Sequence, residues 1–141
     1  MAGASELIVS LPGGRRVDVS VGGHVVHTDQ PTDNGCEDTA VSPFDLFLAS
    51  VGACAGIFVQ GFCAKRGLPY DQIRIVERAV YDAQGTLTGV DLDVKLPASF
   101  PEKYREALLR VVDQCSVKKA IAAQPVFRVT TSPADQAAHA A

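Results

Sequence analysis

The stretch from Pro43 to Arg66, PFDLFLASVGACAGIFVQGFCAKR, decides the fold. Ser42 stands ready to cap a helix and Pro43 suits its first position. Asp45 follows Ser42 by three residues, a capping-box arrangement with Asp in place of Glu or Gln. Gly67 and then Pro69 supply the stop, so the pattern predicts one long helix from Pro43 to about Arg66. Leu46 to Val59 carries no charge on any face. A helix apolar all round must be surrounded by protein, and for so small a chain this points to a second copy supplying part of the cover. These 14 residues fall short of the roughly 20 that a bilayer span needs.

Upstream, the chain reads as strands. Glu6 to Leu11 precedes the turn signal Pro12-Gly13-Gly14. From Arg15 to Val21, three valines alternate with Arg16, Asp18 and Ser20, so one face is buried. Arg15 falls on the valine face, pointing inward or sitting at the lip of the core. Gly22-Gly23 turns the chain into a strand over His24 to Thr28. Asp29 to Ser42 is a long polar loop, a common place for function. Downstream, Asp71 to Ala83 and Leu87 to Leu96 read as a hairpin around Gln84-Gly85. Pro101 opens a second helix, with Tyr104, Leu108, Val111 and Cys115 in one stripe and Glu106–Arg110 as an outer pair. Ser116 to Ala123 continues helically, and Pro125 to Thr131 reads as a last strand. This order makes the class α+β, with one domain over residues 1–131 and a frayed tail over 132–141.

A chain of 141 residues, 47% hydrophobic, is large enough to bury a core without disulfide or metal staples. The net charge of −3 lacks the basic excess of a nucleic-acid binder. No secretion signal or membrane segment is read, so the expected location is the cytoplasm, where thiols stay reduced. The four cysteines are then expected to be free, catalytic or metal-binding.

Cys54 reads two ways. Buried cysteine usually serves as a small hydrophobe. Yet Gly52 and Gly56 each weaken a helix by about 0.8–1 kcal/mol relative to Ala, which calls for a close neighbouring backbone or for room at the sulfur. Cys63, nine positions on, faces the opposite way and reads as packing. Cys115 ends the stripe on the second helix and can meet Cys54 if that stripe faces the first helix. A helical turn starting at Ser116, with Lys118 and Lys119, would favour a thiolate at Cys115. Cys36 lies in the polar loop, exposed to adventitious oxidation. Arg15 carries a permanent charge able to hold a thiolate or a peroxide oxygen, or it is an edge arginine with a wet head. His24 and His27 lie on opposite strand faces and no CxxC occurs, so no metal site is expected. No G-x-S-x-G or phosphate loop is present.

Taken together, Pro43-Phe-Asp-Leu-Phe-Leu-Ala-Ser-Val-Gly-Ala-Cys54-Ala-Gly and Cys115-Ser-Val-Lys-Lys resemble the OsmC/Ohr family, as does the element order, over about Glu6 to Thr131. The resemblance implies an intertwined α+β homodimer with antiparallel sheets around a long central helix. It implies a thiol-dependent peroxidase that reduces organic hydroperoxides in oxidative-stress defence, with Cys54 attacking and Cys115 resolving. A dithiol such as a lipoylated protein would be the reductant, and no cofactor is implied. Gly13-Gly14-Arg15 is similar to the family segment whose arginine holds the thiolate, with Arg16 as the fallback. The sequence departs at Pro43-Phe44, where the family has Pro-Glu, leaving Asp45 or Glu37 to orient the arginine. Two rivals follow: a slow or non-catalytic stress protein of the same fold, and a module binding a small apolar ligand.

Overall fold

Alternating valines and paired glycines give the N-terminal residues their form. In the computed structural model, which describes residues 6–134, strands β1 (Ile8–Gly13), β2 (Arg16–Val21) and β3 (His24–Thr28) form an antiparallel sheet in that order. Gly22 and Gly23 both take positive φ, 54° and 80°, as a two-residue hairpin turn with the right twist requires. Val17, Val19 and Val21 are half-buried, as their alternation predicts. Arg15 departs from expectation. It lies in the β1–β2 turn, exposed to solvent, because β1 runs on through Pro12 and Gly13 and moves the turn to Gly14-Arg15.

The polar loop after β3 is closed by Asp29, only 2% exposed. Its carboxylate accepts from the Gln30 N–H (2.8 Å), the Thr39 N–H (2.9 Å) and the Thr39 hydroxyl (2.7 Å). These bonds, the Thr39 N–H foremost, hold its carboxyl below the usual range despite its burial, with the Arg16 charge assisting. The described residues gather into two compact units, 6–46 with 127–134, and 47–126. The strand expected over Pro125 to Thr131 does not form. A strand is a ladder, not only a pattern, and among the described residues no strand pairs with this segment. Its apolar side chains are left in solvent, Phe127 being 88% exposed.

Helix α1 (Pro43–Ala64) begins as read. The Asp45 N–H donates to the Ser42 hydroxyl oxygen (3.1 Å), and that hydroxyl donates to the Asp45 carboxylate (2.8 Å). It ends through Gly67, at φ 64°, and through the Leu68 N–H to Cys63 carbonyl bond (3.0 Å). The Arg66 N–H bonds the Cys63 carbonyl (3.0 Å) in a tighter turn, and the helix ends at Ala64, two residues short of the reading. The full 22 residues are long and apolar enough, by length and composition alone, to cross a membrane. The 14-residue centre understated this, because Pro43, Phe44 and Gln60 to Ala64 add length without adding charge.

In the second unit, β4 (Arg74–Tyr81) and β5 (Leu87–Lys95) pair antiparallel from Arg74↔Lys95 to Tyr81↔Leu87. The Asp82 carboxylate ties the hairpin by accepting from the N–H groups of Gln84 (2.9 Å) and Thr86 (2.8 Å). A 3-10 turn at Glu102–Tyr104 leads into α2 (Arg105–Val112), and α3 (Ser116–Ala122) follows. Ala55, Val59, Phe62 and Cys63 of α1 join Ile73, Phe100, Leu108 and Val112 in one buried cluster.

One polar group is set against this packing. Glu77 of β4 reaches α1 at Gly52, where a Cβ would lie 2.4 Å from Glu77 Oε2. The near neighbour that the glycine reading called for is thus a carboxyl and not a backbone. Glu77 Oε1 is buried with no hydrogen-bond partner. Burial pushes this carboxyl up, opposed only by the Gly52 N–H. A raised folded value means that ionisation opposes folding, so stability falls as pH rises through the ordinary glutamate range. Glu77→Gln is therefore expected to melt with the wild type at acid pH and above it at neutral pH. Paired melting curves across that range check this, and a constant difference at every pH would refute it.

Candidate functional site

The site is built where α2 stops. Leu108 and Val112 are held in the core, and the chain leaves the helix through Asp113 and Gln114. Cys115 becomes the residue before α3, at φ −49° and ψ 122°, with no side-chain cap bond. Such a position normally takes Ser, Thr, Asp or Asn, whose oxygen accepts the first N–H groups of the helix. A thiol there is a weaker acceptor, and it shares those groups with another acceptor. The acceptor is Cys54 of α1, which draws hydrogen bonds from the Cys115 thiol and from the N–H groups of Val117 and Ser116.

The electrostatics of the pair divide sharply. Burial pushes the Cys54 thiol up; the Cys115 S–H, the two backbone N–H groups and the Lys118 charge outweigh it and bring it below the ordinary thiol range. Burial pushes Cys115 up as well, and its bond to the Cys54 sulfur pushes it further, against the Lys118 and Val117 N–H groups. The net result is above the ordinary range. Cys54 is thus the more acidic sulfur and Cys115 the thiol that donates to it, a division that belongs to the pair and not to either residue alone. Cys54 is 8% exposed and Cys115 fully buried, so the sulfur with the lowered pKa is also the more accessible.

The start of α3 does favour a thiolate at Cys115, as expected, through the Lys118 and Val117 N–H groups, but burial and the Cys54 sulfur outweigh them. The Ser116 and Val117 N–H groups and the Lys118 charge act on the sulfur across the gap. Lys118 also bonds Asp113 (2.9 Å), while Lys119 is turned aside to Gln114 Oε1 (2.8 Å).

The other candidates fall as follows. Cys63 is buried, and burial raises its thiol. Cys36 is half-buried, with its sulfur 3.5 Å from the Asn34 carbonyl. Arg15 belongs to the first unit, where it lines a cavity of about 320 Å³ with Arg16, Asp29, Cys36 and Glu37. Glu37 therefore shares a cavity with the arginine, whereas the Asp45 carboxylate is engaged with the Ser42 hydroxyl in the helix cap. Glu77 went unread in the sequence. The helix start at Ser116 is legible there, but not that its N–H groups reach Cys54.

The family model for OsmC-like proteins matches residues 35–130, about two thirds of the chain. The chain belongs to the OsmC-like family. No curated protein matches it. Among solved structures, an OsmC-like protein of Mycoplasma pneumoniae shares 11% identity at a TM-score of 0.69, covering 88% of this chain and 91% of that one. A protein of Psychrobacter arcticus, provisionally named for osmotic stress and detoxification response, shares 19% at 0.70, covering 85% and 90%. An organic hydroperoxide resistance protein, OsmC, of Legionella pneumophila shares 22% at 0.52, covering 82% and 88%. At these identities the likeness is one of fold: two small antiparallel sheets and a long helix, as in other OsmC-like proteins.

The hydrogen bond from Cys115 yields a direct test in this OsmC-like chain. Cys115→Ala is expected to move the midpoint for alkylation of Cys54 to higher pH, while Cys115→Ser, which keeps a donor but competes for the Val117 N–H, moves it less. Rates of Cys54 modification against pH, read by mass spectrometry, check this. Identical midpoints in all three proteins would refute it.

Proposed function

We propose that this protein is a thiol-dependent peroxidase that reduces organic hydroperoxides in oxidative-stress defence. One observation carries the reading: Cys54, its thiol lowered, accepts a hydrogen bond from Cys115, whose thiol is raised. The thiolate is the nucleophilic form of cysteine, and resolution requires a second cysteine within reach of the oxidised sulfur, which the contact with Cys115 supplies. The organic hydroperoxide resistance protein of Legionella pneumophila, similar in fold, supports the same class of substrate.

In this mechanism the Cys54 thiolate attacks the outer oxygen of R–O–OH. The S–O bond forms as the O–O bond breaks, and RO⁻ leaves and takes a proton to become the alcohol. Cys54 is then a sulfenic acid. The Cys115 sulfur condenses with it, forming the S–S bond and releasing water. A dithiol, such as a lipoyl group on a partner protein, reduces the disulfide by exchange and is itself oxidised. Arg15 is proposed to steady the thiolate or the peroxide oxygen, with Glu37 orienting it. Two copies are proposed to assemble as a homodimer in the cytoplasm, covering the apolar face that leaves Ile57 67% exposed. Phe44, standing where the family has a carboxylate, favours a second reading as a slow or non-catalytic relative.

One equivalent of an organic hydroperoxide added to reduced protein, followed by alkylation and peptide mapping, separates the two. The peroxidase reading expects a rapid Cys54–Cys115 linkage, slower with hydrogen peroxide. Cys54→Ser is expected to drop turnover to the uncatalysed background, and Cys115→Ser to stop at the sulfenic acid. Four alkylatable cysteines after treatment would overturn the peroxidase reading.

A further inference from the structure

The first unit surrounds Cys36, a thiol that the peroxidase cycle leaves unused, with opposite charges. The cavity of about 320 Å³ there is lined by Arg15, Arg16, Asp29, Cys36 and Glu37, together with Gly14 and Gly35. It stands at the small end of the roughly 300–1,000 Å³ of ligand sites. Gly14 turns β1 into β2, and Gly35 ends the 3-10 turn at Thr32–Asn34. Both take positive φ, 61° and 74°, and a Cβ built on either meets nothing within 4 Å. The chain therefore bends at two places on the wall without a side chain filling the space. Cys36 follows the second bend directly. It is half-buried, and its sulfur bonds the Asn34 carbonyl at 3.5 Å.

The four charges divide into a satisfied pair and an unsatisfied one. The Asp29 carboxylate accepts three hydrogen bonds, and the Arg16 charge helps to hold it ionised. Arg15 and Glu37 stand differently. Among the described residues neither is in an ion pair, although both line the one cavity. A single wet charge would mean little, since surface charges gain little from pairing. A free cation, a free anion and a thiol around one cavity form a set. That set is complementary to an amino acid that carries sulfur. A carboxylate meets a guanidinium in a forked pair, an ammonium group meets a carboxylate, and a thiol exchanges with a disulfide.

We propose that this cavity takes up the disulfide of a zwitterionic α-amino acid, R–S–S–R, and captures half of it on Cys36. Arg15 holds the carboxylate and Glu37 the ammonium group. The Cys36 sulfur, as the thiolate, attacks the nearer disulfide sulfur. A new S–S bond forms as the old one breaks, and R–S⁻ leaves and takes up the proton that Cys36 gave up. Cys36 ends as a mixed disulfide and the departing half as a thiol. The disulfide is itself the oxidant, so no peroxide enters the step. The capture does not rest on the peroxidase reading.

The test uses the full, reduced chain and three disulfides at equal concentration. They are cystine, cystamine, which lacks the carboxylates, and bis(2-hydroxyethyl) disulfide, which lacks both charges. Peptide mapping follows the mixed disulfide at Cys36. Each rate is divided by that of the same chain unfolded in urea, which removes differences between the disulfides themselves. Cystine is expected to modify Cys36 at least about tenfold faster than either other probe, the scale of one charged hydrogen bond. Arg15→Gln is expected to slow cystine about tenfold and Glu37→Gln to do so in part, with the rate for the uncharged probe unchanged in both. Equal normalised rates for the three probes, or a cystine rate untouched by Arg15→Gln, overturn the proposal. No peroxide is added, so failure here leaves the peroxidase reading standing, and failure of the hydroperoxide test leaves this capture standing.

Discussion

The hydrogen bond from the Cys115 thiol to the Cys54 sulfur is the contact on which the site depends, and it rests on where α2 ends. Leu108 and Val112 fix that helix in the apolar cluster. The chain then leaves the helix through Asp113 and Gln114, and this puts Cys115 directly before α3. A serine there would draw the helix's own N–H groups strongly. The cysteine shares them with Cys54 of α1. Packing, helix termination and thiol chemistry are therefore one arrangement: a shift of α2 moves the donor, and with it the pKa of a residue sixty-one positions earlier.

The two units treat buried carboxylates in opposite ways. Asp29 takes three hydrogen bonds and stays ionised, so its charge organises the loop that carries Cys36 and Glu37. Glu77 finds one backbone N–H and a glycine, and favours its proton. The contrast lies in the number of donors that each fold element leaves over. A loop has N–H groups to give; a helix interior and a paired strand have almost none. Glycine at position 52 is thus tied to the carboxyl on the neighbouring strand, and its cost in helix propensity has a local cause.

Much of this was legible in the residues. The start of α1 and the hairpins at Gly22-Gly23 and Gln84-Gly85 follow from capping and turn chemistry, and side-chain spacing allows Cys54 and Cys115 to meet if the second helix faces the first. What failed has physical reasons. The segment from Pro125 has a strand's alternation but no ladder partner among the described residues, and single-chain periodicity cannot supply one. Arg15 was put on a strand face because one residue of β1 register was unreadable through Pro12 and Gly13. The sequence places the first N–H groups of α3 near Cys115 and says nothing of their reach to Cys54, so their share in lowering Cys54 is not readable there. Glu77 was invisible for a similar reason: alternation marks its face, but only tertiary packing shows that the face meets Gly52.

Cys63 gives the chain a property separate from its chemistry. It sits fully inside the apolar cluster with its thiol raised by that burial, half a turn away from Cys54 on the same helix. A reagent that labels thiols therefore meets two clocks on one element. Labelling at Cys54 runs at the pace of the thiolate, and labelling at Cys63 at the pace at which the cluster opens. The ratio of the two, read from a single digest, reports the integrity of the core in the same sample whose reactivity is being measured.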